Sequence, residues 1–145
     1  MMAPLIKDLV LLLVTNRDDL EIPSTVRMDR LMETGDSISV AMNGTPKTLK
    51  EYINGSRERR ASFDVLGITT QGTSDAKNLQ VVTWLEAIGA LFEGMRNFAL
   101  STSRTVISAT QITTPMIVGR TDDGRVTYVI NIAIRYREEQ NGTTN

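Results

Sequence analysis

From Val126 to Tyr136 every second residue is large and apolar. Val126, Tyr128, Ile130, Ile132, Ile134 and Tyr136 fall on one side, and Thr127, Asn131, Arg135 and Arg137 on the other. A period of two belongs to a β-strand with one buried face, whereas a helix would repeat its faces every 3.6 residues. The chain must therefore build a sheet with something packed on one side of it. A strand of about a dozen residues spans roughly 40 Å, which is long beside the ~15 Å radius of gyration of a single domain of 145 residues. One end of this strand is accordingly expected to project from the core, with part of its apolar surface completed by neighbouring molecules.

The rest of the chain supplies the partners. Leu5, Ile6, Leu9, Val10 and Leu13 share one helical face between Pro4 and Val14, and residues 16–23 read as the loop that ends this helix. A strand is predicted over 37–42, where Ile38, Val40 and Met42 alternate with polar or small residues, followed by the turn Asn43-Gly44-Thr45-Pro46. Residues 50–56 form a short segment closing on Asn54-Gly55, and residues 57–70 alternate again, with Ala61, Phe63 and Val65 on one face. Ser74 or Asp75 can cap a helix running to about Met95, whose stripe includes Leu79, Val82, Trp84, Leu85, Ile88, Leu91, Phe92 and Met95. Gly89 and Gly94 interrupt it, marking either a close approach to the sheet or a fraying end. A strand over 104–112 and the hairpin turn Asp122-Asp123-Gly124 lead into the alternating run.

Helices between hairpins, without βαβ repetition, predict an α+β fold: a mainly antiparallel sheet packed against an N-terminal and a central helix. Residues 1–138 form this single domain and residues 139–145 a flexible tail. No period of 20–50 residues is present, so the chain is not a repeat protein.

Composition bears on chemistry. The chain has no cysteine and no histidine, which removes thiolate nucleophiles, imidazole bases and Cys/His zinc sites from one protomer. The carboxylate clusters Asp18-Asp19-Glu21 and Asp122-Asp123 sit beside turn signals, where Asp serves local backbone hydrogen bonding, and neither has the spacing of a calcium loop. No catalytic residue, metal ligand or cofactor is expected, and the protein is expected not to be an enzyme. The apolar run at 9–14 is too short to span a membrane. A net charge of −1 is not that of a polycation, so any contact with nucleic acid must come from a local patch. The densest basic cluster is Arg57, Arg59 and Arg60, which reads either as a phosphate-facing strand or as a solvated face paired with Glu58; Arg135 and Arg137 read the same way.

Residues 50–56, Lys-Glu-Tyr-Ile-Asn-Gly-Ser, followed by Arg60-Ala61-Ser62-Phe63-Asp64-Val65 and the helix from Asp75 to Met95, resemble the tail terminator (minor capsid) proteins of long-tailed bacteriophages. The resemblance covers most of the chain in the order of its elements and about residues 50–95 in motif. It implies a structural virion protein of the tail neck, made in the bacterial host cytoplasm. Such proteins form a ring, usually a hexamer, that caps the tail tube, stops its elongation and meets the connector, with double-stranded DNA passing through the lumen. The implied partners are further copies of the chain, the major tail tube protein, a head-completion or stopper protein, and DNA in transient non-specific contact; no membrane is involved. Arg57, Arg59 and Arg60 are the candidates to face the lumen. Tyr128, Ile130, Ile132, Ile134 and Tyr136 are the candidate oligomer-interface strand. The alternatives are another neck protein, such as a head-completion, stopper or head-tail joining protein, or a small-molecule or peptide-binding module.

Overall fold

The computed structural model describes residues 4–23, 25–28 and 35–139. Helix α1 (Leu5–Thr15) starts behind Pro4 and ends where the Asn16 side chain donates to the Leu12 carbonyl at 2.8 Å. The expected loop after it contains a four-residue helix, α2 (Arg17–Leu20), closed by Glu21 in the left-handed region. Four strands follow: β1 (Val26–Met28), β2 (Ser37–Met42), β3 (Lys47–Glu51) and β4 (Arg57–Thr69). Helix α3 (Asp75–Glu93) begins at Ser74, whose hydroxyl accepts from the Lys77 amide at 3.2 Å, with Asp75 favourably placed at the positive end of the helix dipole. Four more strands complete the chain: β5 (Arg96–Ala99), β6 (Arg104–Gln111), β7 (Met116–Arg120) and β8 (Val126–Glu138).

The eight strands form one sheet in the order β1-β2-β4-β8-β6-β5, with β3 on β4 and β7 on β8; only the β1–β2 pair is parallel. The α+β class, the single domain and the one-sided sheet hold. The two thirteen-residue strands β4 and β8 lie side by side along their whole length, from Arg57 opposite Glu138 to Thr69 opposite Val126. β8 therefore does not project. Its excess length is taken up by an equally long neighbour, and its apolar side chains are buried within the protomer.

The halves of the sheet repeat one plan 69 residues apart. In the first, β2 pairs with the later part of β4; residues 43–46, ending in Pro46, break the strand; and β3 pairs with the earlier part. In the second, β6, residues 112–115 ending in Pro115, and β7 do the same along β8. Both tips close alike: Tyr52 N–H donates to the Ser56 carbonyl at 2.8 Å, and Thr121 N–H to the Arg125 carbonyl at 2.8 Å. The fourth residue of each tip is glycine with positive φ, Gly55 (90°) and Gly124 (92°), a conformation that side chains rarely tolerate. Because β4 and β8 are antiparallel, the two hairpins point in opposite directions.

Both helices cover one face of the sheet. Leu5, Leu9 and Leu13 of α1, and Val81, Trp84, Leu85, Ile88 and Phe92 of α3, pack on Val40, Phe63, Val65, Ile130, Ile132 and Ile134 in one core. Phe63 and Phe92 meet edge to face at 5.2 Å. Leu79, expected in the stripe, is exposed, and Val81 takes its place. The two helix glycines separate: a Cβ on Gly89 would collide with the Gln111 side chain of β6, whereas Gly94 is the C-cap, in ordinary space.

Candidate functional site

Residues directly opposite on paired strands share a face of the sheet. On β4 and β8 the pairs Arg57–Glu138, Arg59–Tyr136, Ala61–Ile134, Phe63–Ile132 and Val65–Ile130 belong to the helix-covered face. The pairs Glu58–Arg137, Arg60–Arg135, Ser62–Ala133 and Asp64–Asn131 belong to the open one. Adjacent arginines in the sequence are thus sent to opposite sides, and the basic cluster at 57–60 divides into two chemically different groups.

On the helix-covered face, the apolar core ends in a buried ion network. Arg104 Nη1 donates to Asp8 Oδ2 on α1 at 2.7 Å, and its Nε donates to Glu138 Oε2 at 3.0 Å. The other oxygen of Glu138 accepts from Arg57 Nη2 at 2.7 Å and from Arg59 Nη1 at 3.4 Å. Arg59 also donates to the Pro46 carbonyl at 3.2 Å. Asp8, Arg104 and Glu138 are all buried. Burial pushes the Glu138 carboxyl up, but the hydrogen bond and charge of Arg104, with help from Arg57 and Arg59, outweigh it and hold the group below its ordinary range. Burial also pushes the neighbouring Tyr136 phenol up, keeping it neutral. The network ties α1, β4, β6 and β8 together at one end of the sheet.

On the open face of that same end lies a basic surface. Arg60 is flanked by Lys47 on β3 and Arg135 on β8, and Glu58 by Lys50 and Arg137. Arg135 and Arg137 keep about half of their side-chain surface in water, at 49% and 46%. Arg135 Nε reaches Glu58 Oε2 at 3.3 Å, and Arg137 Nε reaches Glu139 at 3.4 Å. Five cations against Glu58 and Glu139 give this corner +3, so the remainder of a chain with net charge −1 carries −4. A corner of this kind presents a diffuse positive potential suited to a polyanion and lacks the enclosure of a small-molecule pocket.

Of the cluster Arg57, Arg59 and Arg60, only Arg60 belongs to the open face, where Arg135 and Arg137 join it; Arg57 and Arg59 are held by Glu138. Lys47 and Lys50 escape a sequence reading because only the pairing of β3 with β4 brings them beside Arg60. The expected interface strand is also placed differently. Ile130, Ile132, Ile134 and Tyr136 are buried, Tyr128 is partly buried, and β8 has β4 on one side and β6 and β7 on the other. Ile130, Ile132, Ile134 and Tyr136 fill the protomer's own core, and Tyr128 keeps part of its surface.

The carboxylate clusters serve local structure. Asp18 and Asp19 occupy the first turn of α2, and Asp123 accepts from the Thr121 hydroxyl and from the Arg125 amide. The Thr121 and Arg125 bonds hold the Asp123 carboxyl below its usual range. Among the described residues no group of three acidic side chains is placed to hold a metal ion. No helix among them is long and apolar enough to cross a membrane. Glu139, expected to begin the flexible tail, donates its amide to the Ser103 carbonyl at 2.8 Å and accepts from the Ser56 hydroxyl at 3.2 Å. The remaining tail residues, 140–145, lie outside the described residues.

Fold and site together define a small α+β domain with a basic face at one end of its sheet. Residues 13–138 match the family described as "Bacteriophage tail terminator protein". The chain belongs to that family and is a structural protein of the phage tail, a component of the virion. A solved structure described as "Virion of native gene transfer agent (GTA) particle" contains a chain similar to this one, with 13% identity, 82% of each chain covered and a TM-score of 0.48. No curated protein matches the sequence.

Proposed function

We propose that this chain is the terminator of a phage tail: copies of it, six by family resemblance, close a ring that caps the tail tube, stops its elongation and meets the head-completion or stopper protein, while DNA passes through the lumen. The observation that carries this reading is the family match over residues 13–138. The division of charge supports it. Lys47, Lys50, Arg60, Arg135 and Arg137 concentrate positive charge on one open sheet face, and we assign that face to the lumen. Contacts from such a surface are salt-dependent and indifferent to sequence, which suits DNA that must move. Arg57 and Arg59 work one step behind, holding the end of the sheet through Glu138.

Gene deletion in the phage tests the function. Without the protein, tail tubes should grow past their normal length and fail to join heads, and supplying the chain in trans should restore both. Tails of normal length that still join heads would overturn the reading. In solution, light scattering should find a closed species; six copies of the 16.1 kDa chain amount to roughly 97 kDa.

A further inference from the structure

Among the described residues the repeated plan of the sheet leaves two strand edges without a partner strand. Among the described residues β3 pairs with β4 alone and β7 with β8 alone, whereas β1 covers β2 and β5 covers β6. Backbone donors and acceptors along the outer sides of β3 and β7 are therefore available, and an open edge is a template for another strand. The side chains along them are apolar and exposed: Leu49 on β3, and Met116, Ile117 and Val118 on β7. Seven of the eleven large hydrophobic residues exposed on the described surface fall on these two strands, their tips and the breaks beside them. Single exposed apolar residues are ordinary, but their concentration on two edges marks surfaces that a partner covers.

We propose that β7 of one copy adds to β3 of the next, antiparallel, so that the sheet continues from protomer to protomer. The proposal rests on the tail-terminator reading above and names the surfaces by which copies of the chain meet. Two observations select this occupant. First, β3 and β7 lie on opposite edges of the sheet and run in opposite senses, because each is antiparallel to its long partner and β4 and β8 are antiparallel to each other. β3 lies at the Arg57–Glu138 end of the sheet and β7 at the Thr69–Val126 end, so copies in the same orientation, slipped along the strands by the distance between those ends, bring the two strands together antiparallel. Contacts of this head-to-tail kind close into rings when the rotation allows. Second, the ladder slips at equivalent places, at Leu49 in the middle of β3 and at Val118 in the middle of β7. Bulges shorten a regular edge, which restricts pairing to a short and selective stretch.

The absence of cysteine from the chain makes cross-linking decisive. Leu49→Cys and Val118→Cys both replace exposed residues, so the fold should survive, as an unchanged melting curve would verify. Under mild oxidation the double variant should give a ladder of disulfide-linked multimers that ends at one closed size. Mixing the two single variants should stop at the dimer, and each single variant alone should stay monomeric on a denaturing gel. Val118→Lys should abolish assembly without altering the melting of the protomer. A single variant that cross-links to itself would overturn the proposal in favour of a two-fold contact. A multimer seen by light scattering but with no cross-link in the double variant would overturn the edge pairing and leave the terminator reading standing. A protomer that stays monomeric at high concentration and on purified tail tubes would overturn both.

Discussion

Arg104 holds two carboxylates at once. Its guanidinium faces Asp8 on one side and Glu138 on the other, all three out of water. Removing one partner from a buried ionic set is costly because the charges left behind have neither water nor a counter-ion. Arg104→Met should therefore lose about 3–5 kcal/mol of stability, measured by urea unfolding at neutral pH. The acid limb of stability reports on the same network. The pKa of Glu138 is lower folded than unfolded, so its contribution is complete above the unfolded carboxylate value of about 4.3 and is lost as pH falls through the lower folded value. Glu138→Gln should be less stable than the parent at pH 7, with the gap narrowing below about pH 4. Parallel acid limbs for the two proteins would show that Glu138 is not the titrating group.

Among the elements, those with a buried face are legible in the sequence and those without one are not. β4 and β8 declare themselves through Phe63, Val65, Ile130 and Ile132, because one side of each strand is dry and the other wet. β3 and β7 have every side chain exposed, so no alternation distinguishes Lys47–Glu51 or Met116–Arg120 from loop. β5 follows directly on α3, is equally exposed and contains Asn97 at φ 53°, which leaves no periodic signal. The candidate site is half hidden for the same reason: Lys47 and Lys50 come from a strand that the pattern does not mark, whereas Arg135 and Arg137 lie on β8. Turn chemistry is the exception, since Asn54-Gly55 and Asp123-Gly124 are visible at once. The second tip also depends on a contact outside the hairpin. Gly72 N–H donates to the Gly124 carbonyl at 2.7 Å, and a Cβ on Gly72 would overlap Val126 and come within 2.5 Å of that carbonyl oxygen. Gly72→Ala should cost about 1–3 kcal/mol in thermal or chemical unfolding. Gly94→Ala, with only ordinary contacts near its Cβ, should gain about 0.4–1 kcal/mol by restricting the unfolded chain. Equal effects at the two positions would contradict the close packing of the 71–74 loop on β8.

For the whole molecule, a 69-residue repeat of two hairpin units leaves few marks in the sequence. Pro46 with Pro115 and Gly55 with Gly124 keep their identities because backbone geometry dictates them. The positions between diverge, since core volume and surface charge are satisfied by many residues. The two ends of the sheet differ in charge: Lys47, Lys50, Arg60, Arg135 and Arg137 have no basic counterpart group on the same face at the other end, where Leu66 faces Val129 and the buried Ile68 faces Thr127. If this corner meets DNA phosphates, binding must weaken with salt, because each neutralised phosphate releases counter-ions; the logarithmic slope is about −0.9 per contact. Arg60→Glu with Arg135→Glu should reduce the magnitude of that slope by about 2, measured by fluorescence anisotropy on a duplex of arbitrary sequence. The comparison with Arg57→Gln separates this surface from the network beneath it. Arg57 is committed to Glu138, so its loss should lower the unfolding midpoint and leave the salt slope unchanged. A slope that responds to Arg57 as strongly as to Arg60 and Arg135 would return the DNA-facing role to the helix-covered side of the sheet.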